Sequence, residues 1–145
     1  MNDEPDLKLV LMLFSELIAA DQTIKAVLAR NLPKGMEMSH FSVLTQLAHV
    51  GEVSPAKLAR SFGLTKGAIT NTLKKLELAG YIHIRPDWED SRKKQVSISD
   101  SGRSARDQAL TALTPEFQII ADNLGNQSMK TVLSTLRKFR TTFRA

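Results

Sequence analysis

The stretch from residue 54 to residue 94 constrains the fold most strongly, because helix start and stop signals follow one another closely in it. Ser54 is suited to cap the first turn of a helix, and Pro55 suits the first helical position, where its missing N–H costs nothing. Gly63 stands where a helix commonly ends in a left-handed residue, and Thr65 can cap the next helix. Two helices joined by a short turn that contains glycine predict a helix-turn-helix.

The second of these helices, expected from about Lys66 to Ala79, sorts its side chains by face. An apolar face with i, i+4, i+7 spacing should lie against the core, and it consists of Ile69, Leu73 and Leu76. The other face carries Lys66, Gly67, Thr70, Asn71 and Lys74. Small residues permit close approach to a DNA groove, Asn and Thr reach base edges, and Lys contacts phosphate or guanine. An ordinary amphipathic surface helix with solvated lysines is the alternative interpretation.

A β-hairpin with a basic tip is expected after this helix. Residues 81–85 and 96–98 alternate as strands do, and the polar loop 86–94 separates them. Such a hairpin beside a recognition helix is a wing, which can reach a neighbouring minor groove, where arginine is favoured.

Individual roles can be assigned within this wing. Arg92 is the candidate for the minor groove, with a surface ion pair to Asp90 as the alternative, and the two roles are compatible. Asp90 should hold the loop, since a carboxylate is repelled by phosphates. Lys93 and Lys94 are phosphate candidates, and Arg85 should anchor the base of the wing. For Trp88, packing on the wing base is favoured over contact with a DNA sugar.

The excess positive charge of the chain lies entirely in this region. Residues 55–94 carry nine Lys or Arg and four Asp or Glu, whereas the remaining residues carry eleven of each. The formal net charge of +5 is therefore concentrated in the predicted winged helix. A basic patch of this kind is the electrostatic footprint of a polyanionic partner, and a solvated basic face is the alternative.

Residues 64–102 resemble the winged-helix signature of the multiple antibiotic resistance regulator (MarR) family. The residues that carry the resemblance are Leu76-Glu77, Gly80-Tyr81-Ile82, Arg85, Asp90-Ser91-Arg92 and Ser99-Asp100-Ser101-Gly102. The resemblance is strong over residues 54–102 and covers nearly the whole chain in length and helix order. It implies a homodimeric transcriptional regulator that binds a near-palindromic double-stranded operator, more often as a repressor than as an activator.

Apolar stripes mark both ends of the chain. Residues 6–31 are expected to form one long helix, and a last helix is expected from about Ser128 to Phe143. The stripes include Leu7, Leu11, Phe14, Leu133, Leu136 and Phe139. Packing within the chain and pairing with a second chain both explain them. The resemblance implies that residues 6–31 and 101–145 dimerise, around a winged helix-turn-helix at 37–99, within one domain spanning 1–145.

Two local features leave alternatives open. Either Ser99 or Asp100 can cap the helix that begins near Ser101. Pro115 removes one backbone hydrogen bond from that helix, so it should either kink the helix or begin a new one.

Met36, Met38 and Phe41 lie where the dimerisation helices should meet the winged helix. The family often binds small aromatic or anionic effectors in that crevice, so the resemblance implies a candidate effector site there, whereas core filling is the default role for such residues. The three histidines are scattered over separate elements without metal-ligand spacing, so no metal and no cofactor are expected. No nucleophile–base set is recognisable, and we therefore expect no enzymatic activity.

The absence of cysteine excludes disulfides and thiolate metal sites. No apolar run approaches the roughly 20 residues that span a bilayer, and the acidic N-terminus does not fit a secretion signal. We therefore expect a cytoplasmic protein, bound to DNA and not to a membrane.

These patterns predict a mainly α fold with a small β-hairpin wing, in which a winged helix-turn-helix is flanked by N- and C-terminal dimerisation helices. The expected function is sequence-specific transcriptional regulation, as a repressor that a small-molecule effector releases. The alternative is a winged-helix module that binds a protein partner without specific DNA contact.

Overall fold

The computed structural model describes residues 4–143, and side chains from residue 6 onward. Residues 1–3 and 144–145 of the predicted domain lie outside this range. The elements in chain order are α1 (Glu4–Asn31), α2 (Met38–Val50), α3 (Pro55–Phe62), α4 (Lys66–Leu78), β1 (Ile82–Pro86), β2 (Lys94–Ile98), α5 (Asp100–Leu124) and α6 (Asn126–Thr142). The predicted mainly α fold with one β-hairpin is confirmed over the described residues.

Local capping builds the helix-turn-helix from α3 and α4. The Ser54 hydroxyl accepts a hydrogen bond from the Lys57 N–H at 3.2 Å, and the Thr65 hydroxyl accepts one from the Ala68 N–H at 3.1 Å. Gly63 has φ 63°, a left-handed conformation that favours glycine. The helix-turn-helix is therefore specified by the caps and the glycine that the sequence shows.

The wing is an antiparallel pair of β1 and β2, in which Ile82 lies opposite Ile98 and Ile84 lies opposite Val96. Val53 forms an isolated antiparallel bridge with Val96, and two backbone hydrogen bonds of 3.0 and 2.8 Å join them. This bridge ties the wing to the segment that leads into α3.

Two clusters of buried side chains form the core. The larger one fills the space between α2, α3, α4 and the wing, and it includes Leu44, Leu58, Ile69, Leu76 and Val96. The predicted inward face of α4 is confirmed, because Ile69, Leu73 and Leu76 are each at most 3% exposed. The smaller cluster joins α1, α2 and α5 through Leu28, Phe41, Ala109 and Leu113.

The start of α5 is locked against the turn that joins α4 to β1. Ser99 is the N-cap; its hydroxyl accepts from the Gly102 N–H at 2.9 Å and donates to the Gly80 carbonyl oxygen at 2.6 Å. The Ser99 N–H also donates to the Tyr81 carbonyl oxygen at 2.9 Å. Gly102 packs directly against that carbonyl group. These contacts fix the position of α5 relative to the wing.

Pro115 lies inside α5, and the helix continues through it to Leu124. It therefore does not begin a new helix. The proline lacks an N–H, so the chain loses one intrahelical hydrogen bond at this exposed position. After Gly125, α6 begins at Asn126, two residues before the predicted start.

Candidate nucleic-acid interface

The outer face of α4 is open to solvent. Lys66, Gly67, Thr70, Asn71 and Lys74 are all exposed, in contrast to the buried inner face. A Cβ added at Gly67 would meet no atom within 4 Å, so the helix backbone itself is accessible there. The face therefore offers cations, an amide, a hydroxyl group and an uncovered stretch of backbone.

The hydroxyl group of Thr70 has a defined hydrogen-bonding capacity. It donates to the Lys66 carbonyl oxygen at 2.7 Å, one helical turn earlier. Its proton is therefore engaged within the helix, and its oxygen is left to accept. A base edge that donates a hydrogen, such as an adenine or cytosine amino group, fits this arrangement.

A groove joins the N-terminal turn of α4 to the tip of the wing. Its volume is about 610 Å³, and its lining includes Lys66 and Thr70 from α4. The wing side of the lining consists of Arg92, Lys93 and Lys94. Arg60 of α3 also lines it, a residue that no sequence pattern marked as a DNA contact. The structure thus brings two of the predicted recognition-helix residues together with the three predicted wing residues on one electropositive concave surface, whereas Gly67 and Asn71 do not line this groove.

Lys74 lies further along α4, in a second groove of about 300 Å³ between α4 and the wing. Thr70 and Lys94 line this groove as well, so it is continuous with the first. The cationic surface therefore follows α4 for two helical turns.

The tip of the wing is organised around Asp90. Its Oδ1 atom accepts hydrogen bonds from the N–H and the Nε–H of Arg92, both at 3.1 Å, and Oδ2 accepts from Nη2 at 3.3 Å. The hydrogen bonds from Arg92 lower the pKa of Asp90 below its ordinary value. The Arg92 side chain is nevertheless 88% exposed. The ion pair orients Arg92 without covering it.

A second carboxylate, not singled out from the sequence, shapes the same loop. Asp87 accepts from Gln95 Nε2 at 2.8 Å and from the backbone N–H groups of Glu89 and Asp90 at 2.8 and 3.3 Å. These hydrogen bonds, that from Gln95 foremost, lower the pKa of Asp87. In turns, an Asp side chain commonly accepts a hydrogen bond from the backbone N–H two residues later. An Asp in a polar loop is therefore a sequence signal that could have identified this residue.

Arg85 lies at the base of the wing, where two nitrogens of its guanidinium group contact Glu52. Nε donates to Oε1 at 3.0 Å, Nη2 pairs with Oε2, and Nη1 donates to the Pro86 carbonyl oxygen at 2.9 Å. This hydrogen bonding lowers the pKa of Glu52 and raises that of Arg85. The same guanidinium lies 4.5 Å from the ring centroid of Trp88. Trp88 is 85% exposed, so most of its ring stays open to solvent beside this contact at the wing base.

Two cavities lie beside the loop between α1 and α2. Met36 lines both, with volumes of about 480 and 330 Å³, and Met38 lines the smaller one. Phe41 lines neither of these two cavities: it is 7% exposed and packs with Leu28 and Leu113 in the smaller core cluster. Phe41 therefore fills the core, the default role expected for this residue.

His40 is a buried polar residue on the wall of the larger cavity, 8% exposed. Its Nδ1 atom accepts a hydrogen bond from the Glu37 N–H at 3.1 Å, which places the proton of the neutral ring on Nε2. Among the described residues, Nε2 has no hydrogen-bond partner. Burial is the main cause that lowers the pKa of His40, and Lys75 lowers it further against the opposing effect of Glu37.

We expect His40 to make stability depend on pH. Its pKa is lowered on folding, so below about pH 6.5 the unfolded state binds more protons and the free energy of unfolding falls. Each such proton contributes a slope of at most about 1.4 kcal/mol per pH unit. Urea unfolding at pH 7.5 and 5.0 should therefore show that the free energy of unfolding falls less between these pH values for His40→Asn than for the wild type. His83→Asn, at an exposed position, is the control; equal losses in all three proteins would contradict the expectation.

The predicted dimerisation residues lie on α1 and α6, and four of the six are exposed. Leu7, Leu11, Phe14 and Leu133 are between 42% and 66% exposed, and no described residue of α6 is buried. Phe14 meets Phe139 edge to face, with ring centroids 5.9 Å apart. Leu136 and Phe139 are half-buried. These helices thus present a long apolar face, far larger than the isolated apolar residues of an ordinary surface.

Over residues 4–143, no three His, Cys, Asp or Glu residues are grouped so that they could hold a metal ion. In the same part of the chain, none of the helices combines the length and the apolar character needed to cross a membrane.

A recognition helix, a basic wing and a groove shared between them define a winged helix-turn-helix protein with an electropositive face. The MarR family model matches residues 36–94. The HTH-type transcriptional regulator SarZ of Staphylococcus haemolyticus is 30% identical over 100 residues, which cover 65% of this chain and 67% of SarZ. The chain belongs to the MarR family. Because MarR family regulators are DNA-binding transcription factors, this membership confirms that the chain is not an enzyme.

A further relative is YdgJ of Bacillus subtilis, an uncharacterised HTH-type transcriptional regulator. It is 26% identical over 106 residues, which cover 73% of this chain and 65% of YdgJ. The matched region therefore spans slightly less than two thirds of that relative.

Solved structures share the fold over most of their length. A mutant of Escherichia coli MarR complexed with operator DNA superposes with a TM-score of 0.78 at 21% identity, covering 90% of this chain and 94% of that one. BldR of Sulfolobus solfataricus superposes with a TM-score of 0.77 at 21% identity, covering 99% of both chains.

Proposed function

We propose that the chain is a homodimeric, sequence-specific transcriptional regulator that binds double-stranded DNA in the cytoplasm. The observation that carries the proposal is the groove in which Lys66 and Thr70 of α4 face Arg92, Lys93 and Lys94 of the wing. A duplex supplies phosphates on both sides of each groove, and a surface that combines cations with an exposed helix matches that pattern.

The proposed roles divide into positioning and reading. Lys66, Lys74, Lys93 and Lys94 contact phosphates, which makes affinity depend on salt. Asn71 and Thr70 contact base edges in the major groove, where an asparagine amide matches adenine and Thr70 accepts from an amino group. Gly67 permits the close approach that these short side chains require. Arg92, held by Asp90, enters the neighbouring minor groove, and Arg85 anchors the base of the wing.

The dimer follows from the apolar face of α1 and α6. A second copy of the chain would cover Leu7, Leu11, Phe14, Leu133, Leu136 and Phe139. Two winged helices related by a two-fold axis would then read successive major grooves of a near-palindromic operator, about 34–36 Å apart. Residues 6–31 and 101–145 thus form the dimerisation part, and residues 37–99 the DNA-binding part.

A small aromatic or anionic effector would release the protein from its operator, which makes repression the proposed sign of regulation. Two structural neighbours support this part. PcaV of Streptomyces coelicolor is known in complex with its natural ligand, and DNA binding by BpsR of Bordetella bronchiseptica is regulated by 6-hydroxynicotinic acid. In this chain the cavities lined by Met36 and Met38 are the proposed location. The effector acts only if its affinity for the geometry that cannot engage DNA exceeds its affinity for the geometry that can.

The experiment is a titration of labelled duplexes, native upstream DNA beside a scrambled duplex, with sedimentation to count chains in the complex. Arg92→Ala should weaken binding to the native duplex about tenfold, since a charge-assisted contact is lost. Asn71→Ala should relax discrimination at one base pair by about 1–3 kcal/mol and leave non-specific binding unchanged.

The control variants remove the same side chains elsewhere. Arg137→Ala on α6 and Asn123→Ala on α5 are exposed positions outside the groove, and both should bind as the wild type does. Unchanged profiles for Arg92→Ala and Asn71→Ala would refute the contact assignment. If the wild type bound native and scrambled duplexes equally, and selection from random DNA returned no site, the protein-interaction module would take the place of this function.

A further inference from the structure

A hydrogen bond links the far end of α6 to the helix-turn-helix. The Nη2 atom of Arg140 donates to the carbonyl oxygen of Ser61 at 3.1 Å, and the two residues are 79 positions apart in the chain. The same Nη2 atom lies 3.9 Å from the position that a Cβ would occupy on Gly63. The guanidinium group therefore rests on the turn between α3 and α4.

The carbonyl oxygen of Ser61 belongs to the last turn of α3, where carbonyl groups have no partner within the helix. A cation placed at a helix C-terminus is favoured by the helix dipole. The N–H groups of Gly63 and Leu64 bond to Arg60 and Ala59, so they satisfy other carbonyl groups of that turn. Arg140 thus completes the C-terminal cap of α3 from a distant part of the chain.

Ser61 is also connected to the core side of the domain. Its hydroxyl group accepts from Gln46 Nε2 of α2 at 3.2 Å and donates to the Lys57 carbonyl oxygen at 2.9 Å. Arg140, at the other end of the link, follows Phe139, which meets Phe14 of α1. One residue of α3 is therefore joined to α2 and to the apolar face of α1 and α6, five residues before the first residue of α4.

We propose that Arg140 is a positioning residue for DNA recognition. It fixes the α3–α4 turn, and so the recognition helix, relative to the helices that form the dimer. This inference rests on the proposed function, because the spacing of two recognition helices matters only in a dimer that reads two half-sites. Arg140 acts through Ser61 and does not contact DNA.

The first measurement needs no DNA. Hydrogen–deuterium exchange is followed at the amides of Gly63 and Leu64 in the wild type, Arg140→Gln, Arg140→Lys and Arg137→Gln. Loss of one hydrogen bond should speed exchange in Arg140→Gln about two- to tenfold. Arg140→Lys keeps a cationic donor and should recover part of the protection. Arg137→Gln removes the same charge from an exposed site on α6 and should exchange at the wild-type rate.

The second measurement uses operator duplexes whose half-sites are moved apart or together by one and two base pairs, at several salt concentrations. Arg140→Gln should lower the preference for the optimal spacing about threefold to tenfold, while the slope of log affinity against log salt stays that of the wild type. A phosphate contact by Arg140 in each chain of the dimer would instead make the slope shallower by about 1.8, and that result overturns the inference.

Unchanged exchange at Gly63 and Leu64 in Arg140→Gln also overturns it, whatever the DNA results are. If the wild type shows no sequence preference, the proposed function fails, and the exchange data alone decide whether Arg140 holds the turn. If exchange speeds up but spacing preference does not change, Arg140 caps α3 without positioning the recognition helix, which refutes the role in recognition.

Discussion

Replacing Lys66, Lys93 and Lys94 together by glutamine is expected to lower operator affinity about 10²- to 10³-fold near physiological salt, the largest effect on binding that we predict. Each phosphate contact contributes about 0.9 to the slope of log affinity against log salt, so the loss of three contacts from each chain of the dimer should make the variant's slope shallower by about 5.4. These three ammonium groups line one groove, and among the described residues none lies within salt-bridge distance of a carboxylate. Fluorescence anisotropy at four salt concentrations gives both quantities.

A matched variant separates this effect from net charge. Lys8, Lys130 and Lys138 are exposed lysines on α1 and α6, outside the groove. Their replacement by glutamine removes the same total charge. It should change the slope of log affinity against log salt by less than the roughly 0.9 that one phosphate contact contributes. Equal slopes in the two triple variants would show that the overall field of the protein, and not the groove, attracts DNA.

The groove itself was predictable because its parts are local in sequence. Ser54 and Thr65 fix where α3 and α4 begin, and the period of Ile69, Leu73 and Leu76 fixes which face of α4 is buried. Once that face is known, the opposite face must carry Lys66, Thr70 and Asn71 into solvent. The wing follows from strand alternation on both sides of a polar loop. Each inference needs only neighbours within about one or two helical turns.

What the sequence did not reveal depends on contacts between residues that are far apart in the chain. Glu52 is the partner of Arg85, 33 residues away, and no spacing rule connects them. Ser61 and Arg140 are further apart still. Phe41 has the same apolar character as Met36 and Met38, and only the packing of α1 against α5 decides that it is buried while they line cavities. Pro115 left two outcomes open, because a helix can continue through proline when neighbouring packing, here that of Leu113, holds it in place.

The largest effect on stability is expected for Gly102→Ala. A Cβ at this position would lie 2.0 Å from the Tyr81 carbonyl oxygen and 2.8 Å from its carbon, both backbone atoms. Backbone cannot turn away as a flexible side chain can, so the start of α5 must move. Movement would strain the hydrogen bonds that join Ser99 to Gly102, Gly80 and Tyr81. We expect a loss of about 3 kcal/mol or more, since overpacking alone typically costs about 1–3 kcal/mol.

For a chain of this size that loss corresponds to a melting temperature lower by about 6–12 °C, measured by calorimetry at one fixed protein concentration because a dimer melts in a concentration-dependent way.

Gly67→Ala is the matched control, since a Cβ there meets no atom within 4 Å and alanine favours an exposed helix by about 1 kcal/mol. It should raise the melting temperature slightly and yet weaken operator binding, because the methyl group would stand between the α4 backbone and the DNA. A melting temperature for Gly102→Ala within 2 °C of the wild type, on the scale of about 2–4 °C per kcal/mol, would show that α5 and the wing are not rigidly joined. The two variants then separate what the fold requires from what recognition requires. Gly102 is needed for α5 to pack against the Tyr81 backbone, and Gly67 is proposed to let α4 approach DNA closely.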